Sequence, residues 1–522
     1  MTSDTIPLIA RARAHAQEGR VALIDDEWSM SYEQLLAASE RAARALLAAA
    51  AVADLDGARV AFLVPPGCAY VIAQWGIWRA GGIAVPLCVA HPAPELAYTI
   101  DDSGASLLIA HASLRALLEP IARERSVPLI ASEDLERHAD VDHGADGVEH
   151  RARAALPAVA PERGALLLYT SGTTGKPKGV LSSHAILAAQ IESVVQAWEW
   201  SERDHILHVL PLHHLHGVLN ALSAALWSGA CCELFPRFDA ERVFARIAAA
   251  RGLTLFMAVP TIYARLLALW EQASEEQRAA FGAGCRQLRL MVSGSAALPV
   301  ALFERWRELS GHSLLERYGM TEFGMGLGNP LHGERLPGHV GVPFPGVEVR
   351  LCDDGGDAVP DGSPGKIQVR GPGVFARYWQ KPEATAAAFT ADGWFETGDV
   401  AQRERGVYRI LGRESVDILK TGGYKVSALE IEEALREHPA IRECAVVGVP
   451  DPEWGQRVAA AVLLHAGQTL TLEQLRAFGK ERLAPYKVPS LLRVVADLPR
   501  NAMGKVQKPD VTRWFTTSDL AR

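Results

Sequence analysis

The sequence predicts an α/β fold in which largely parallel sheets are covered by helices. Three observations predict it. Strand-like and helical segments alternate through the first half, short strands punctuated by glycine and proline follow about residue 337, and a separate unit of helices and strands follows Gly412. Such alternation is typical of βαβ units. The length of 522 residues also predicts two or more domains.

The segments of the first half alternate in chain order. "RVAFLVP" predicts a strand, "CAYVIAQWGIWRAGG" a helix, and "IAVPL" and "SLLIA" two further strands. The helical "DAERVFARIAAARG" precedes the strand "LTLFMAVP", and "CRQLRLMVSG" precedes the helix "PVALFERWRELSG". These segments predict the parallel sheets.

The strands after residue 337 have a different character. "GVEVRLCD", "GKIQVRG" and "GVYRILGR" are short and bounded by turns, which favours antiparallel pairing, as in a small β-barrel beside the sheets. Beyond Gly412, helix "SALEIEEALREH", strands "ECAVVGVP" and "RVAAAVLLH", and helix "TLEQLRAFGKERL" are enough for a domain of their own.

Composition excludes several classes of protein. With 49% hydrophobic and 22% charged residues the chain fits a soluble globular protein, and a net charge of −8 without a sustained basic patch argues against nucleic acid. The N-terminus lacks the apolar core of a signal peptide, and Asp54, Asp56 and Arg59 interrupt the longest apolar region. The seven cysteines show no CxxC spacing, so we expect buried core thiols in a cytoplasmic protein.

The stretch "YTSGTTGKPKG" (169–179) follows a short apolar strand and predicts a phosphate-binding turn. Its glycines allow the backbone to approach a ligand, its hydroxyls donate hydrogen bonds, and its lysines add positive charge. It is not the P-loop of NTPases, because only two residues separate Gly172 from Gly175 and Lys176 is followed by Pro177. The dinucleotide pattern G-x-G-x-x-G fails as well.

Further motifs supply what a nucleotide site needs besides phosphate contacts. In "LERYGMTE", Tyr318 is suited to stack on a base, Thr321 to contact phosphate and Glu322 to hold Mg²⁺. Asp399, after a Thr-Gly turn, is suited to accept both ribose hydroxyls, and Lys505 follows near the C-terminus in "PRNAMGKVQK".

In this order the motifs resemble those of the acyl-adenylate-forming superfamily, which contains acyl-CoA synthetases, peptide-synthetase adenylation domains and luciferases. The resemblance runs from about residue 25 to 510. It implies a large N-terminal domain (1–412) of two helix-flanked sheets plus a small β-barrel, and a smaller mobile α+β lid domain (416–522). The lid would rotate about a hinge near 413–416, at Ser415 or Val416.

The resemblance also implies roles for individual residues. Lys505, His214, Thr174 and Glu322 would be catalytic, with Mg²⁺ held by Glu322 and Thr173. The residues implied to bind ATP are Thr170, Ser171, Gly172, Thr173, Thr174, Gly175, Lys178, Glu316, Arg317, Tyr318, Gly319, Met320, Thr321, Asp399 and Arg413. Gly422 and Gly423 would line the pantetheine path of CoA.

The implied reaction joins a small carboxylic acid to CoA. ATP adenylates the acid with release of pyrophosphate, and the CoA thiol then displaces AMP. The Lys505 ammonium would stabilise the anions that meet in the first step, and the lid would then swing away. We expect no nucleic-acid or membrane partner, and a monomer or homodimer.

Within the superfamily the chain is most similar to malonyl-CoA synthetases, through stretches such as "LPLHHLHGVLNAL" and "LRLMVSGSAALP". That similarity predicts malonate or methylmalonate as the acid. Arg289 would then grip the distal carboxylate, because a buried carboxylate needs a partner. The residues predicted to line the acyl pocket are Arg289, Ser293, Gly294, Ser295, His214 and Met325.

Three alternatives stay open at this stage. The first is an acyl-CoA synthetase for another short, medium or branched acid, which a panel of acids would reveal. The second is a stand-alone amino-acid adenylating enzyme, although no aspartate for a substrate amine is evident near His214. The third is a nucleotide sensor without turnover, against which the intact Lys505, Glu322 and Asp399 argue.

Overall fold

Two large, mainly parallel sheets form the N-terminal part of the molecule. The structure is a computed structural model that describes residues 5–16, 19–137, 155–170, 176–249, 251–501 and 504–516. Strands β1 to β25 are, in chain order, Val21–Ile24, Ser29–Ser31, Arg59–Leu63, Ile83–Pro86, Leu107–Ala110, Leu129–Ala131, Gly164–Thr170, Lys178–Ser183, His205–His208, Cys231–Leu234, Leu255–Ala258, Leu290–Ser293, Leu315–Met320, Gly324–Gly328, Val342–Pro343, Glu348–Cys352, Pro364–Arg370, Arg377–Tyr378, Phe395–Glu404, Val407–Arg413, Ile418–Thr421, Tyr424–Ser427, Ile441–Asp451, Gly455–Leu464 and Leu491–Val494.

Helices occupy most of the segments between these strands. The α-helices are Pro7–Ala16, Tyr32–Ala50, Cys68–Arg79, Ala93–Ser103, Arg115–Arg125, Ser132–Arg137, His184–Ala197, Ala224–Trp227, Ala240–Ala248, Pro260–Gln272, Glu275–Gln287, Val300–Ser310, Pro382–Ala386, Ala428–Arg436, Leu472–Lys480 and Lys508–Thr516. A π-helix spans His216–Ser223, and short 3₁₀ turns span Ala112–Leu114 and Pro485–Lys487. Among the described residues no helix is long and apolar enough to cross a membrane.

The first sheet has nine strands in the order β15-β14-β13-β12-β11-β9-β10-β1-β2. Its central strands from β13 to β1 are parallel, and antiparallel strands close both edges. The second has seven strands in the order β18-β8-β7-β4-β3-β5-β6, with a parallel run from β7 to β6. The predicted α/β class is confirmed.

Burial explains why the parallel strands read as continuous apolar runs. All four residues of β4, β5, β11 and β12 are buried, because helices cover both faces of such sheets. The helix Cys68–Arg79 is almost entirely buried and places Trp75 and Trp78 in the largest core. All seven cysteines are free thiols and all but the half-buried Cys231 are buried, as the sequence predicts.

The antiparallel region is a four-stranded sheet in the order β16-β17-β19-β20. Among the described residues no pairing joins the outer strands β16 and β20 to each other, and β20 is bridged instead to Gly341 through Tyr408. The unit is therefore an open sheet rather than the closed barrel that the sequence predicts. It packs around Phe395, Phe375 and Tyr378.

The chain from Ile418 onward has a sheet and core of its own. The strand order is β22-β21-β24-β23, with β25 added beside β24, and the helices Ala428–Arg436 and Lys508–Thr516 pack against this sheet. A buried lysine, Lys508, joins the last helix to the start of the unit, with its Nζ 2.5 Å from Asp417 Oδ1 and 2.7 Å from Glu432 Oε1. We call this unit the lid.

Candidate active site

A cleft lies where several strands of the two sheets end. Thr170 ends β7 and Lys178 begins β8, where Lys178 Nζ lies 5.0 Å from the ring centre of Tyr378. The phosphate contacts predicted for Ser171, Gly172, Thr173, Thr174 and Gly175 lie outside the described residues. The carboxyl ends of parallel strands are where α/β sheets bind ligands.

Three polar side chains meet on the nucleotide side of the cleft. Asp399 and Arg413 are cross-strand partners on β19 and β20, and Arg413 Nε donates to Asp399 Oδ1 at 2.8 Å. Tyr318 Oη donates to Asp399 Oδ2 at 2.6 Å. Burial, and then the carboxylate of Asp399, raise the pKa of Tyr318, so the phenol stays protonated and available as a donor. The structure thus brings these predicted ribose and base residues together.

Glu322 lies at the base of the same cleft, within the tight β13–β14 connection. It is buried and accepts a 2.9 Å hydrogen bond from Tyr378 Oη. Burial raises the pKa of the Glu322 carboxyl, although the Tyr378 hydroxyl lowers it. Gly319 permits the close approach of β14, since a Cβ there would lie 2.1 Å from the carbonyl oxygen of Gly324. Thr321 is buried beside Glu322, and the sulfur of Met320 lies 3.6 Å from Arg413 Nη2.

Lys505 belongs to the lid but reaches the charged groups of the cleft. The Lys505 side chain is exposed to solvent. Desolvation by the surrounding protein nevertheless lowers the pKa of Lys505, and the positive charges of Arg413 and Arg317 lower it further. Asp399 opposes this effect. Asn501 holds the backbone at this point, with Lys505 N–H donating to Asn501 Oδ1 at 3.0 Å. The ammonium is therefore poised next to the predicted nucleotide residues.

Two histidines of "LPLHHLHG" line the deeper side of the cleft. Burial lowers the pKa of His214 to about 3, helped by Lys505, His213 and Arg317, so its ring is neutral at physiological pH. Burial and Arg317 also lower the pKa of His216, whose Nδ1 lies 3.2 Å from Ser295 Oγ. At physiological pH neither imidazole ring therefore carries a positive charge.

Arg317 is buried in this deeper side without an acidic partner among the described residues. Its Nη2 lies 3.5 Å from Ser295 Oγ, and its Nε has no hydrogen-bond partner. Burial alone lowers the pKa of Arg317 to about 9. Gly294 provides the room for the guanidinium, because a Cβ there would lie 2.5 Å from Arg317 Cζ. Its guanidinium thus lies beside Gly294 and Ser295 of the predicted acyl pocket, while its contact with ATP stays a prediction.

Several polar atoms of the predicted acyl residues and of the neighbouring π-helix are buried and unpaired. Ser293 Oγ, His214 Nδ1 and His216 Nε2 have no hydrogen-bond partner among the described residues. The same holds for both amide atoms of Asn220, which lies four residues after His216 in the π-helix and therefore on nearly the same helical face. Met325 contributes a buried apolar contact near Gly319. A pocket with this lining suits a small polar acid.

The predicted role of Arg289 is wrong. Its Nε and Nη2 form a bidentate ion pair with Asp204 at 2.6 and 2.7 Å, and Nη1 donates to the carbonyl oxygen of Trp198 at 2.9 Å. Arg289 precedes β12, whereas Ser293 ends it, so the two are about 13 Å apart at 3.3 Å per residue. Arg289 therefore stabilises the amino-terminal end of strand β12, whereas the cleft lies at the carboxyl end of this strand.

Two other sets of predicted residues have contacts that the sequence did not indicate. The carboxylate of Glu316 accepts from the Leu298 N–H at 2.8 Å and so supports the loop before a helix. Gly422 and Gly423, with φ of +55° and +83°, form the two-residue turn between β21 and β22 in the lid. A Cβ on Gly422 would lie 3.1 Å from the ring of Trp454.

Sequence reasoning missed His216, Asn220 and Tyr378 as cleft residues. His216 had a usable signal, because it shares the run "HHLHG" with His214. Asn220 and Tyr378 had none, since a lone amide or phenol in an apolar segment is common in cores. Their places depend on the π-helix and on the short β8–β18 pairing.

Comparison with known families decides the class of the chain. The AMP-binding enzyme family model matches residues 10–379, and the AMP-binding enzyme C-terminal domain model matches residues 430–505. The chain belongs to this family. ATP and CoA fit the ligases of the family as substrates, in agreement with the cleft described above.

Curated relatives and solved structures agree over almost the whole chain. The chain is 43% identical to the mitochondrial malonate–CoA ligase ACSF3 of Xenopus laevis, with 98% of this chain and 92% of that protein covered. ATP-bound MatB from Rhodopseudomonas palustris superposes with a TM-score of 0.87 at 33% identity, covering 98% and 99% of the two chains. A malonyl-CoA ligase product complex with methylmalonyl-CoA and AMP gives 0.66 at 37% identity, covering 95% and 100%.

Replacing Arg289 should affect stability and not substrate choice. Arg289→Leu leaves the almost fully buried carboxylate of Asp204 without its cation, a loss of about 1–3 kcal/mol in the free energy of unfolding. Urea unfolding measures this loss, and Arg286→Leu, which alters an exposed arginine of the same segment, is the control. If the Arg289→Leu variant is as stable as the wild type but loses activity on a single acid, Arg289 binds the acid and the prediction is wrong.

Replacing Lys505 should separate the two half-reactions. Lys505→Ala removes a positioned cation from the cleft and should slow adenylation on the order of 10²–10³-fold, as measured by ATP–pyrophosphate exchange. Thioester formation from a supplied acyl-adenylate should persist. Lys480→Ala, at an exposed lysine elsewhere in the lid, is the matched control. Equal losses in both steps would show that Lys505 serves the fold rather than adenylation.

Proposed function

We propose that this protein is an ATP-dependent malonate–CoA ligase, with methylmalonate as the closest competing acid. It adenylates one carboxylate of the acid with release of pyrophosphate, and then forms the CoA thioester with release of AMP. The observation that carries the proposal is Arg317, a buried guanidinium in the acyl pocket without a carboxylate partner among the described residues.

A dicarboxylic acid supplies what Arg317 lacks. Removing a charge from water costs several kcal/mol unless an opposite charge and hydrogen bonds compensate it. The carboxylate of malonate that does not react would pair with the guanidinium, and Ser295 offers a neutral hydroxyl 3.5 Å from Arg317 Nη2. A fatty acyl chain would instead leave the guanidinium unpaired. The names of the curated relatives support the same acid.

The cleft accounts for the first chemical step. The reacting carboxylate oxygen attacks the α-phosphorus of ATP, an O–P bond forms, and the bond to pyrophosphate breaks. Lys505 adds positive charge where the two anions meet, while Asp399 and Tyr318 offer an acceptor and a hydroxyl to the nucleoside. Because His214 is neutral, it holds the acyl group by hydrogen bonding rather than by charge.

Mg²⁺ fits the carboxylate of Glu322. This side chain is buried, its Tyr378 partner is a neutral hydroxyl, and no described cation forms an ion pair with it. Oxygen ligands of this kind suit Mg²⁺ when most of its other ligands are water and phosphate. Bound there, the ion would neutralise the phosphates of ATP. In the described part of the chain no group of three or more potential metal ligands occurs, so most ligands would come from elsewhere.

The second step requires a different lid orientation. The structure superposes better on ATP-bound MatB, at a TM-score of 0.87, than on the product complex with methylmalonyl-CoA and AMP, at 0.66, although the latter is more similar in sequence. This supports a lid that holds Lys505 in the cleft for adenylation and rotates for thioester formation. After rotation the CoA thiol attacks the acyl carbonyl of the adenylate and AMP leaves. Gly422 and Gly423 remain the proposed lining of the pantetheine path.

Cellular location and assembly are proposals as well. We propose a cytoplasmic monomer or homodimer, as the sequence predicts, while the Xenopus relative carries "mitochondrial" in its name. Size-exclusion chromatography with light scattering and localisation of a tagged chain would test both.

Replacing Arg317 should change the choice of acid. With Arg317→Leu, kcat/KM for malonate should fall on the order of 10²–10³-fold, because the distal carboxylate loses its buried partner, a cost of roughly 3–5 kcal/mol. Activity on propionate or butyrate should persist or rise, since these acids place a methyl group there. The assay is a panel of malonate, methylmalonate, acetate, propionate, butyrate and benzoate with ATP and CoA.

Two controls make this test decisive. Arg317→Lys keeps the charge and should retain part of the malonate activity, whereas Arg289→Leu should leave the ratio of malonate to propionate activity unchanged. Because Arg317 has no ion-pair partner in the described structure, its loss should not lower the melting temperature. Parallel losses on every acid in Arg317→Leu would reject the dicarboxylate assignment.

A further inference from the structure

One side chain of the lid caps a helix of the N-terminal region. Glu433 lies in the lid helix Ala428–Arg436, and its Oε1 accepts a 2.9 Å hydrogen bond from the N–H of Val300. Val300 begins the helix Val300–Ser310, whose first N–H groups have no partner within the helix. The residue before it, Pro299, provides no side-chain cap. The lid therefore provides a cap that the helix lacks, and a carboxylate is favoured at this end of the helix dipole.

The capped segment is a continuation of the acyl pocket wall. Ser295, which contacts His216 and Arg317, lies five residues before Val300. Its φ of +70° is unusual for a residue other than glycine and marks a fixed, strained turn. Between them, the Leu298 N–H is bound by Glu316 at 2.8 Å. The short segment 298–300 is thus held by one carboxylate from each side of the interface.

The same lid helix is joined by ion pairs to the segment that carries Lys505. The neighbouring Glu432 pairs with Lys508 Nζ at 2.7 Å, and Lys508 follows Lys505 by three residues. Arg436 pairs with both Glu432 and Glu433 at 3.3 and 3.2 Å. A contact made by Glu433 therefore constrains where the lid presents Lys505.

We propose that Glu433 is a positioning residue that holds the lid in its adenylating orientation by capping the helix Val300–Ser310. It acts through Lys505 and does not contact the substrates. Rotation of the lid for thioester formation breaks the hydrogen bond between Glu433 and Val300. The inference rests on the two-step reaction proposed above, but it does not depend on malonate being the acid.

The test compares the half-reactions of Glu433→Ala and Glu433→Gln with those of the wild type. Adenylation is followed by ATP–pyrophosphate exchange, and thioester formation by the reaction of chemically prepared acyl-adenylate with CoA. Losing a charge-assisted hydrogen bond should slow exchange about tenfold in Glu433→Ala. Thioester formation should stay unchanged or become faster. Glu433→Gln keeps a carbonyl acceptor for the Val300 N–H and should recover most of the exchange rate.

Glu437→Ala is the matched control, because Glu437 directly follows the same lid helix, is exposed, and pairs with Arg482 of the lid. It should leave both half-reactions at wild-type rates. Equal losses in both half-reactions of Glu433→Ala, or no loss in either, would overturn the proposal. The acid used in this test is the one that the wild type activates fastest in the panel described above. If malonate is the wrong acid, the panel shows it with the wild type alone, and the comparison between Glu433 variants and wild type is still valid.

Discussion

A buried positive charge without a counter-ion among the described residues sets the conditions for the whole cleft. Arg317 occupies the space that Gly294 leaves open, and burial alone is enough to lower its pKa to about 9. The groups around it are accordingly uncharged: His214 and His216 have pKa values lowered by burial and by nearby cations, and Ser295 is a hydroxyl. Such a site is costly in the free protein and complementary to an anion. A bound anion would therefore supply the negative charge that balances Arg317.

The class of fold and the order of the site motifs could be predicted from the sequence because both depend on local patterns. Apolar runs separated by helical segments predict the parallel sheets, and the motifs around Tyr318, Asp399 and Lys505 have residue types that nucleotide chemistry requires. The structure brings these three residues to one cleft. In the part of the chain that the structure describes, the strands after residue 337 form an open four-stranded sheet, and local patterns could not show this because closure depends on pairing between distant strands.

The choice between Arg289 and Arg317 shows where sequence reasoning failed. Arg289 directly precedes strand β12, and Arg317 lies in strand β13 of the same sheet. The apolar periodicity of these segments therefore does not show which of the two arginines faces the ligand. Strand direction distinguishes them: Arg289 precedes β12, whereas Arg317 lies within β13, beside the end of β12. Ligands bind at the carboxyl ends of such strands, so a residue at the amino end is remote from the site. The bidentate partner Asp204, distant in sequence, could not have been predicted.

The lid contact has to be strong enough to favour one orientation and weak enough to be broken in every cycle. A single hydrogen bond to a charged group contributes roughly 1.5–3 kcal/mol, which shifts a two-state equilibrium by one to two orders of magnitude. The interface contains an opposing force: burial raises the pKa of Glu316 to about 8, and the nearby carboxylate of Glu433 adds to that rise. When Glu316 is ionised, the two carboxylates repel each other across the segment 298–300. With a pKa of about 8, Glu316 is mostly protonated at neutral pH, so this repulsion weakens the cap mainly as the pH rises above 8.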